Sequence, residues 1–506
     1  MLHLSNDFNH LPRETMKYLF SAFFTTSLLI LTNCNSANAL EEIPLSMHTS
    51  LNQQLAINNV RYGVVGQSVL ILKNHQQFYR GQHGVANIEL NVDITEKHIF
   101  PSYSITKLLT SVLMMQQVEK GSVDLKKSIR TYLPYLSKQW QSVTIEHLLS
   151  HTSGIPRYFD IAMKKGIFLP TKKAVFLSLI DEPDHFEIGT KNSYNNTNFL
   201  LLSAVLEAKA GKSYQTLVAE EIINPLGLKN TGHTSAKDII NNHVTSYRGA
   251  NGKIRKNMNI DWPEYTFSHS ALYSTPEDLA TFMTALVTGK FVSQKTLKQL
   301  WQPMKLADGN KGRYAFGFEY AFEDGYYHFG HDGGNHVKLR HYFNPKDSAD
   351  NYTLVYATNG NAYDVWTDVL ADSLMAIVDP DKFEMAAIKE QFLSNILEKN
   401  DKGLIEVYKA VSNVFDGDEA LIERFLLYRA YAIRYGSGAE SSITAFKFLN
   451  LKFPNSANAR ESLADTWSEI GNKKKAIENY RIVLKISPKS RRAKEQIEKL
   501  EGKVQK

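Results

Sequence analysis

Ser104 and Lys107 are the residues whose types and spacing point most directly to chemistry. They lie in Pro101-Ser102-Tyr103-Ser104-Ile105-Thr106-Lys107-Leu108, where a polar loop gives way to an apolar run. That run, residues 108–118, holds no Pro or Gly and is followed by Gly121, which predicts a helix with a glycine just past its end. Three residues apart at a helix start, a hydroxyl and an amine share one face, with Cβ atoms roughly 5–6 Å apart. Free backbone N–H groups and the positive end of the helix dipole favour negative charge developing on the serine. The pair has the composition of an activated nucleophile with its proton acceptor beside it. The same tetrad also fits a capping serine next to a solvated lysine, so the rest of the chain must decide.

The elements that would position such a site follow from the patterning. Residues 64–73 and 76–84 are β-rich runs around Asn74-His75 and predict a hairpin. Residues 198–211 carry a helical pattern with a glycine stop. Thr275-Pro276-Glu277-Asp278 reads as an N-cap, a proline at the first helical position and two first-turn acids. Residues 326–331, 340–344 and 352–357 predict three further strands around a glycine-rich turn. Strands at both ends with helices between imply a mixed α/β (α+β type) unit over 44–380, an antiparallel sheet covered by helices and joined to an all-helical subdomain. Residues 386–506 lack β-rich runs and repeat with a period of 34: Ala430 matches Ala464, Phe446 matches Tyr480 and Pro454 matches Pro488. The pattern resembles tetratricopeptide repeats over 423–490, and two copies are too few to stand without docking on a neighbour.

Two more segments supply functional groups, Tyr194-Asn195-Asn196 before the 198–211 helix and His331-Asp332-Gly333-Gly334 in a strand-and-turn context. Ser-x-x-Lys, Tyr-x-Asn and His-x-Gly in this order resemble the serine β-lactamase and penicillin-binding-protein family. The resemblance is closest to the branch holding class C β-lactamases, D-alanyl-D-alanine carboxypeptidases and esterases. Leu148-Leu149-Ser150-His151-Thr152-Ser153-Gly154, Pro225-Leu226-Gly227-Leu228 and Phe316-Gly317-Phe318 support it. It implies Ser104 as acylated nucleophile, Lys107 and Tyr194 sharing the base role, and Asn196 orienting Lys107 and the substrate. It implies His331 in the third motif, and backbone N–H groups at Ser104 and Gly334, beside Gly333, as oxyanion donors. Asp332 stands where the family usually has a hydroxyl residue, which would set an acid beside a substrate carboxylate. His151 is read as structural. His328, His331 and His336 have spacings unlike a hydrolase zinc signature, so neither metal nor cofactor is expected.

The whole chain sets the context. Its 506 residues carry a net charge of +6, with 43% hydrophobic and 11% aromatic residues, enough for large packed cores. Residues 441–506 hold 15 Lys/Arg against 7 Asp/Glu, a basic helical face with no nucleic-acid partner assigned to it. Met16-Lys17, an apolar run over 18–31 and Ala37-Asn38-Ala39 read as an export signal within residues 1–39, placing the protein in the periplasm or outside the cell. Cys34 is the single cysteine; its lipidation would be the one route to a membrane, and cleavage after Ala39 would remove it. The implied function is hydrolysis of an ester or amide (a D-Ala peptide, an ester or a β-lactam-like compound) through acyl-Ser104. The alternative is a non-catalytic scaffold holding a peptide or cell-wall fragment, with residues 423–490 recruiting a protein partner.

Overall fold

The computed structural model describes residues 44–234, 237–257 and 261–502, so the export signal and Cys34 lie outside the described residues. The main sheet has eight strands in the order Val92–Asp93, Gln76–Asn87, Gly66–Lys73, Asp347–Thr358, Val337–Asn344, Tyr326–Gly333, Phe318–Glu323, Tyr314–Ala315. Neighbours along it pair antiparallel. The predicted hairpin at Asn74-His75 is present, and both turn residues have positive φ, 51° and 65°. Gly66–Lys73, one of the first strands of the chain, pairs with Asp347–Thr358, its last, so the sheet closes on itself in sequence terms. A short sheet of Phe100–Tyr103, Leu272–Ser274 and Gly232–His233 stands beside it.

Each face of the sheet serves a separate core. On one face, Phe329, Val337, Leu339 and Val355 pack with Leu108, Val112, Phe199 and Phe282 of the helices between the strands. Helix Thr106–Glu119 is buried continuously from Thr106 to Met115, with its polar Thr106, Lys107 and Thr110 hydrogen-bonded to backbone carbonyls. On the other face, Tyr342, Leu354 and Tyr356 pack with helix Leu45–Tyr62 and helix Thr367–Val378. This second core runs on without a break into the C-terminal helices, taking in Phe392, Phe425, Phe446, Trp467 and Tyr480. The expected mixed α/β class with an all-helical C-terminal region is therefore present.

The period of 34 reappears as packing. Ala430 and Ala464 are fully buried in helices Glu419–Ser437 and Ala457–Glu469. Phe446 and Tyr480 are buried in helices Ala439–Lys452 and Lys473–Ile486. The repeated positions are thus the contact positions of successive helix pairs, and the pairs dock on the catalytic sheet through helix Glu384–Leu397.

Candidate active site

The site forms where the short sheet, the buried helix and the edge of the main sheet meet. Strand Phe100–Tyr103 ends in an irregular register against Leu272–Ser274, and Tyr103 has a φ of 44°, rare for a bulky side chain. That kink delivers Ser104 one residue ahead of the helix cap Ile105, so its side chain is free of capping duty. Ser104 Oγ lies 2.7 Å from the Tyr194 hydroxyl and accepts a 3.2 Å hydrogen bond from Lys107 Nζ. Lys107 Nζ also donates to the His269 carbonyl at 2.8 Å and sits 4.7 Å from the Tyr194 ring centre. Segment 267–269 holds the helix by consecutive carbonyls: Phe267 accepts from Thr106, Ser268 from Thr110 and His269 from Lys107.

Tyr194 precedes helix Asn196–Ala210, whose cap Asn195 accepts from Thr197 N–H and donates to the Ile155 carbonyl. His151, read as structural, packs its ring 4.9 Å from that of Tyr194, and its Nδ1 accepts from Asn195 N–H at 3.1 Å. Asn196 Oδ1 is buried with no partner among the described residues, so the bond that fixes Lys107 comes from the His269 carbonyl and not from this side chain.

His331 lies 5.8 Å, ring to ring, from Tyr194. Its Nδ1 is 2.7 Å from the Asp332 carbonyl, an acceptor, so that nitrogen carries the proton. Nε2 is buried without a partner among the described residues and presents a lone pair. Gly333 and Gly334 bring the third motif against the nucleophile loop. A Cβ on Gly333 would collide with the Ser102 carbonyl oxygen, and one on Gly334, whose φ is +55°, would press on the Tyr103 ring at 3.1 Å.

Asp332 corrects the sequence expectation. Strand residues alternate between faces, and Asp332 points away from the His331 side. Its carboxylate is bound by Lys338 at 2.9 Å, Arg340 at 3.0 Å and Thr367 Oγ1 at 2.9 Å, on the face covered by helix Thr367–Val378. Asp368 and Glu319 complete the cluster through Lys338 and Arg340. Lys338 and Arg340 are thereby committed to this cluster and not to a substrate carboxylate. Sequence reasoning passed over Glu319, Tyr314 and His269. Glu319 stands 3.8 Å from His331 Nδ1, and the Tyr314 ring is 6.0 Å from that of Tyr194. The nearby Phe316-Gly317-Phe318 was the one available signal for the first two.

Burial sets the electrostatics. Desolvation drives the fully buried Lys107 amine well below its ordinary pKa, with Glu319 opposing. Desolvation drives the Tyr194 phenol well above its own, with the Ser104 hydrogen bond opposing. His331 is lowered to about 4 by burial, against the pull of Glu319. His331 is thus neutral at pH 7, Tyr194 keeps its phenol proton, and burial favours the amine form of Lys107. A neutral amine 3.2 Å from a hydroxyl can accept its proton, and a neutral phenol at 2.7 Å can relay one.

The family profile described as Beta-lactamase matches residues 48–372. The chain is 26% identical over 235 residues to the D-alanyl-D-alanine-carboxypeptidase/endopeptidase AmpH of Escherichia coli K12, covering 45% of this chain and 59% of that one. It is 25% identical over 264 residues to a D-aminopeptidase of Gluconobacter oxydans, covering 51% and 49%. The chain thus spans about half the length of the curated relatives it matches. The octameric penicillin-binding protein homologue of Pyrococcus abyssi shares the fold, with a TM-score of 0.57 at 21% identity over 69% of this chain and 81% of that one. The profile runs over well more than half of the sequence and takes in Ser104, Lys107, Tyr194 and His331, and on that ground the chain belongs to the beta-lactamase family.

Proposed function

We propose that the protein is an exported serine hydrolase that cleaves an ester or amide bond through an acyl-enzyme on Ser104. The observation that carries this reading is the simultaneous contact of Ser104 Oγ with Lys107 Nζ and the Tyr194 hydroxyl. Ser104 Oγ attacks the carbonyl carbon and its proton passes to the Lys107 amine. The backbone N–H groups of Ser104 and Gly334 hold the oxyanion, a contribution of about 3–4 kcal/mol per donor. Collapse breaks the bond to the leaving group, which takes the proton from Lys107 through Tyr194. Water then attacks the acyl-enzyme along the reverse proton path and releases the acid.

The substrate follows from His331. Where a lysine would offer a positive charge, this site offers a neutral imidazole with an accepting Nε2. Such a group favours a neutral or hydrogen-bond-donating substrate, an ester or an internal or N-terminal amide, over one that presents a carboxylate. The names of the relatives add D-residues on the scissile side, and we assign an amide or ester next to a D-residue as the substrate class. The helix pairs over 423–490 are assigned as tetratricopeptide-like repeats that present a protein-docking face.

Intact-mass spectrometry tests the reading. A fluorophosphonate adds one adduct to the full chain and none to Ser104→Ala. Among turnover substrates, p-nitrophenyl esters and D-residue amides are hydrolysed faster than nitrocefin or D-Ala-D-Ala peptides. Labelling that survives Ser104→Ala overturns the mechanism, and a preference for free-carboxylate substrates overturns the substrate class.

A further inference from the structure

Behind the active site, on the opposite side of the sheet, lies a cavity of about 730 Å³, in the range that holds a small-molecule ligand. Its floor is the outer face of strands Phe318–Glu323, Tyr326–Gly333 and Val337–Asn344, and its roof is helices Glu384–Leu397 and Glu419–Ser437. Neither Ser104 nor Tyr194 lines it.

Its polar groups divide by sign and by how far they are satisfied. Lys338 and Arg340 on the floor are tied to Asp332, Asp368 and Glu319. Arg429, from the roof, is not. Its side chain is 7% exposed, its single ion-pair contact is a loose 3.9 Å to Asp372, and its Nε has no partner among the described residues. The guanidinium stacks 4.4 Å from the Tyr428 ring centre, and its buried Nε–H is a donor whose lack of a partner is costly. The opposite imbalance occurs at the turn between the two floor strands. There Asp324 stands beside Glu323 and Glu384, and Lys389 is bound by Glu323 at 2.8 Å. Asp324 accepts one backbone hydrogen bond, from Met385 N–H, and is raised to about 7 by burial first and by its acidic neighbours next. Phe415 and Phe425 add apolar wall between the two ends.

We infer that this cavity is a second ligand site, which takes a short zwitterionic peptide with its carboxylate on Arg429 and its ammonium on the acidic group around Asp324. A lone anion would leave the acids unanswered, and a lone cation would leave Arg429 so. Arg429 and the acids are joined at the base of the cavity by Asp372 and Lys389, 3.9 Å from Arg429 and 2.8 Å from Glu323 respectively, so a short peptide of two or three residues spans both. The inference is independent of the reaction at Ser104: Tyr314 and Glu319 form a wall shared with the active site, but neither binds the peptide, and Ser104, Lys107, Tyr194 and His331 do not line the cavity.

Isothermal titration of the full-length Ser104→Ala protein with Ala-Ala-Ala tests it, since that variant removes turnover. Expected is one saturable site, weakened about tenfold or more by N-acetylation of the peptide, by C-amidation, by Arg429→Met and by Asp324→Asn, as for loss of a hydrogen-bonded charge pair. In chains with Ser104 intact, Arg429→Met and Asp324→Asn label with fluorophosphonate at the parent rate. No saturable binding, or binding indifferent to capping and to Asp324→Asn, overturns the proposal. These arms decide the matter even where Arg429→Met does not fold.

Discussion

At the scale of single residues, the site is governed by which groups burial keeps neutral. In the proposed mechanism Lys107 serves as base because burial holds its amine well below its usual pKa. The base form is required, so the rate of Ser104 labelling rises with pH through that depressed pKa and then levels. Lys107→Arg, a cation that does not give up its proton, is expected to lower the labelling rate by about 10²-fold or more at every pH. A stopped-flow pH profile checks both statements. His331→Lys places a charge where the site is now neutral. It is expected to raise kcat/KM for D-Ala-D-Ala peptides relative to neutral esters by about tenfold, roughly one charge-assisted hydrogen bond; an unchanged ratio counts against His331 as a specificity residue. The grouping of Ser104, Lys107 and Tyr194, which the structure brings into contact, was legible in the sequence because nucleophile and base chemistry needs those residue types. Asp332 was misread, although the strand period carried the answer: with His331 on the face of the site, its neighbour must point to the other. The contact of His269 with Lys107 left no sequence signal, because the carbonyl that binds the amine is backbone.

At the scale of elements, two pieces of irregular backbone aim the nucleophile. Tyr103 turns the strand into the helix, and Gly333 lets the end of strand Tyr326–Gly333 lie against the Ser102 carbonyl. Gly333→Ala forces those strands apart by the width of a methyl group, displacing Ser104 relative to Tyr194. Labelling is expected to fall by about 10²-fold, the order of loss that follows a 1 Å misplacement, while the far-UV circular dichroism spectrum is retained. Full labelling by the alanine variant would show that the strands tolerate the shift. Helix starts were the most readable elements. Thr275 caps its helix through Asp278 N–H with Pro276 at the first helical position, because capping is local chemistry. The kink at Tyr103 was not readable, since a tyrosine in left-handed backbone contradicts its own preference and is imposed by tertiary packing.

At the scale of the molecule, burial of neutral histidines sets the response to acid. His328 and His331 are lowered to about 4, and His341 to about 3, all mainly by desolvation. Each folded-state value lies below the unfolded one near 6.5, so stability is full above pH 6.5 and is lost as pH falls toward 4. The slope is about 1.4 kcal/mol per pH unit for each histidine. Asp324, raised to about 7, works in the opposite direction and offsets one of the three. Calorimetry is expected to show the thermal midpoint dropping by several degrees between pH 6.5 and 4.5; a flat profile would mean that the histidines titrate normally. The second core sets the response to truncation. Phe392, Phe425 and Phe446 share it with Leu354 and Tyr356 of the sheet. Cutting the chain at residue 380 strips that face, and the shortened protein is expected to aggregate or to lose at least several kcal/mol in chemical denaturation, given about 25 cal/mol for each Å² of apolar surface uncovered. The period of 34 foretold the helix pairs; that they complete the core of the sheet is a long-range contact, invisible to local patterning.

The pairing of Gly66–Lys73 with Asp347–Thr358 has a consequence in time. A ribosome delivers the first of these strands early, with a neighbour on one edge only, and Thr358 emerges after most of the helices have been made. Contacts this distant along the chain form late. The central sheet therefore stays open until residue 358 of 506 has been made, and the C-terminal helices that cover its second face are made only after it has closed.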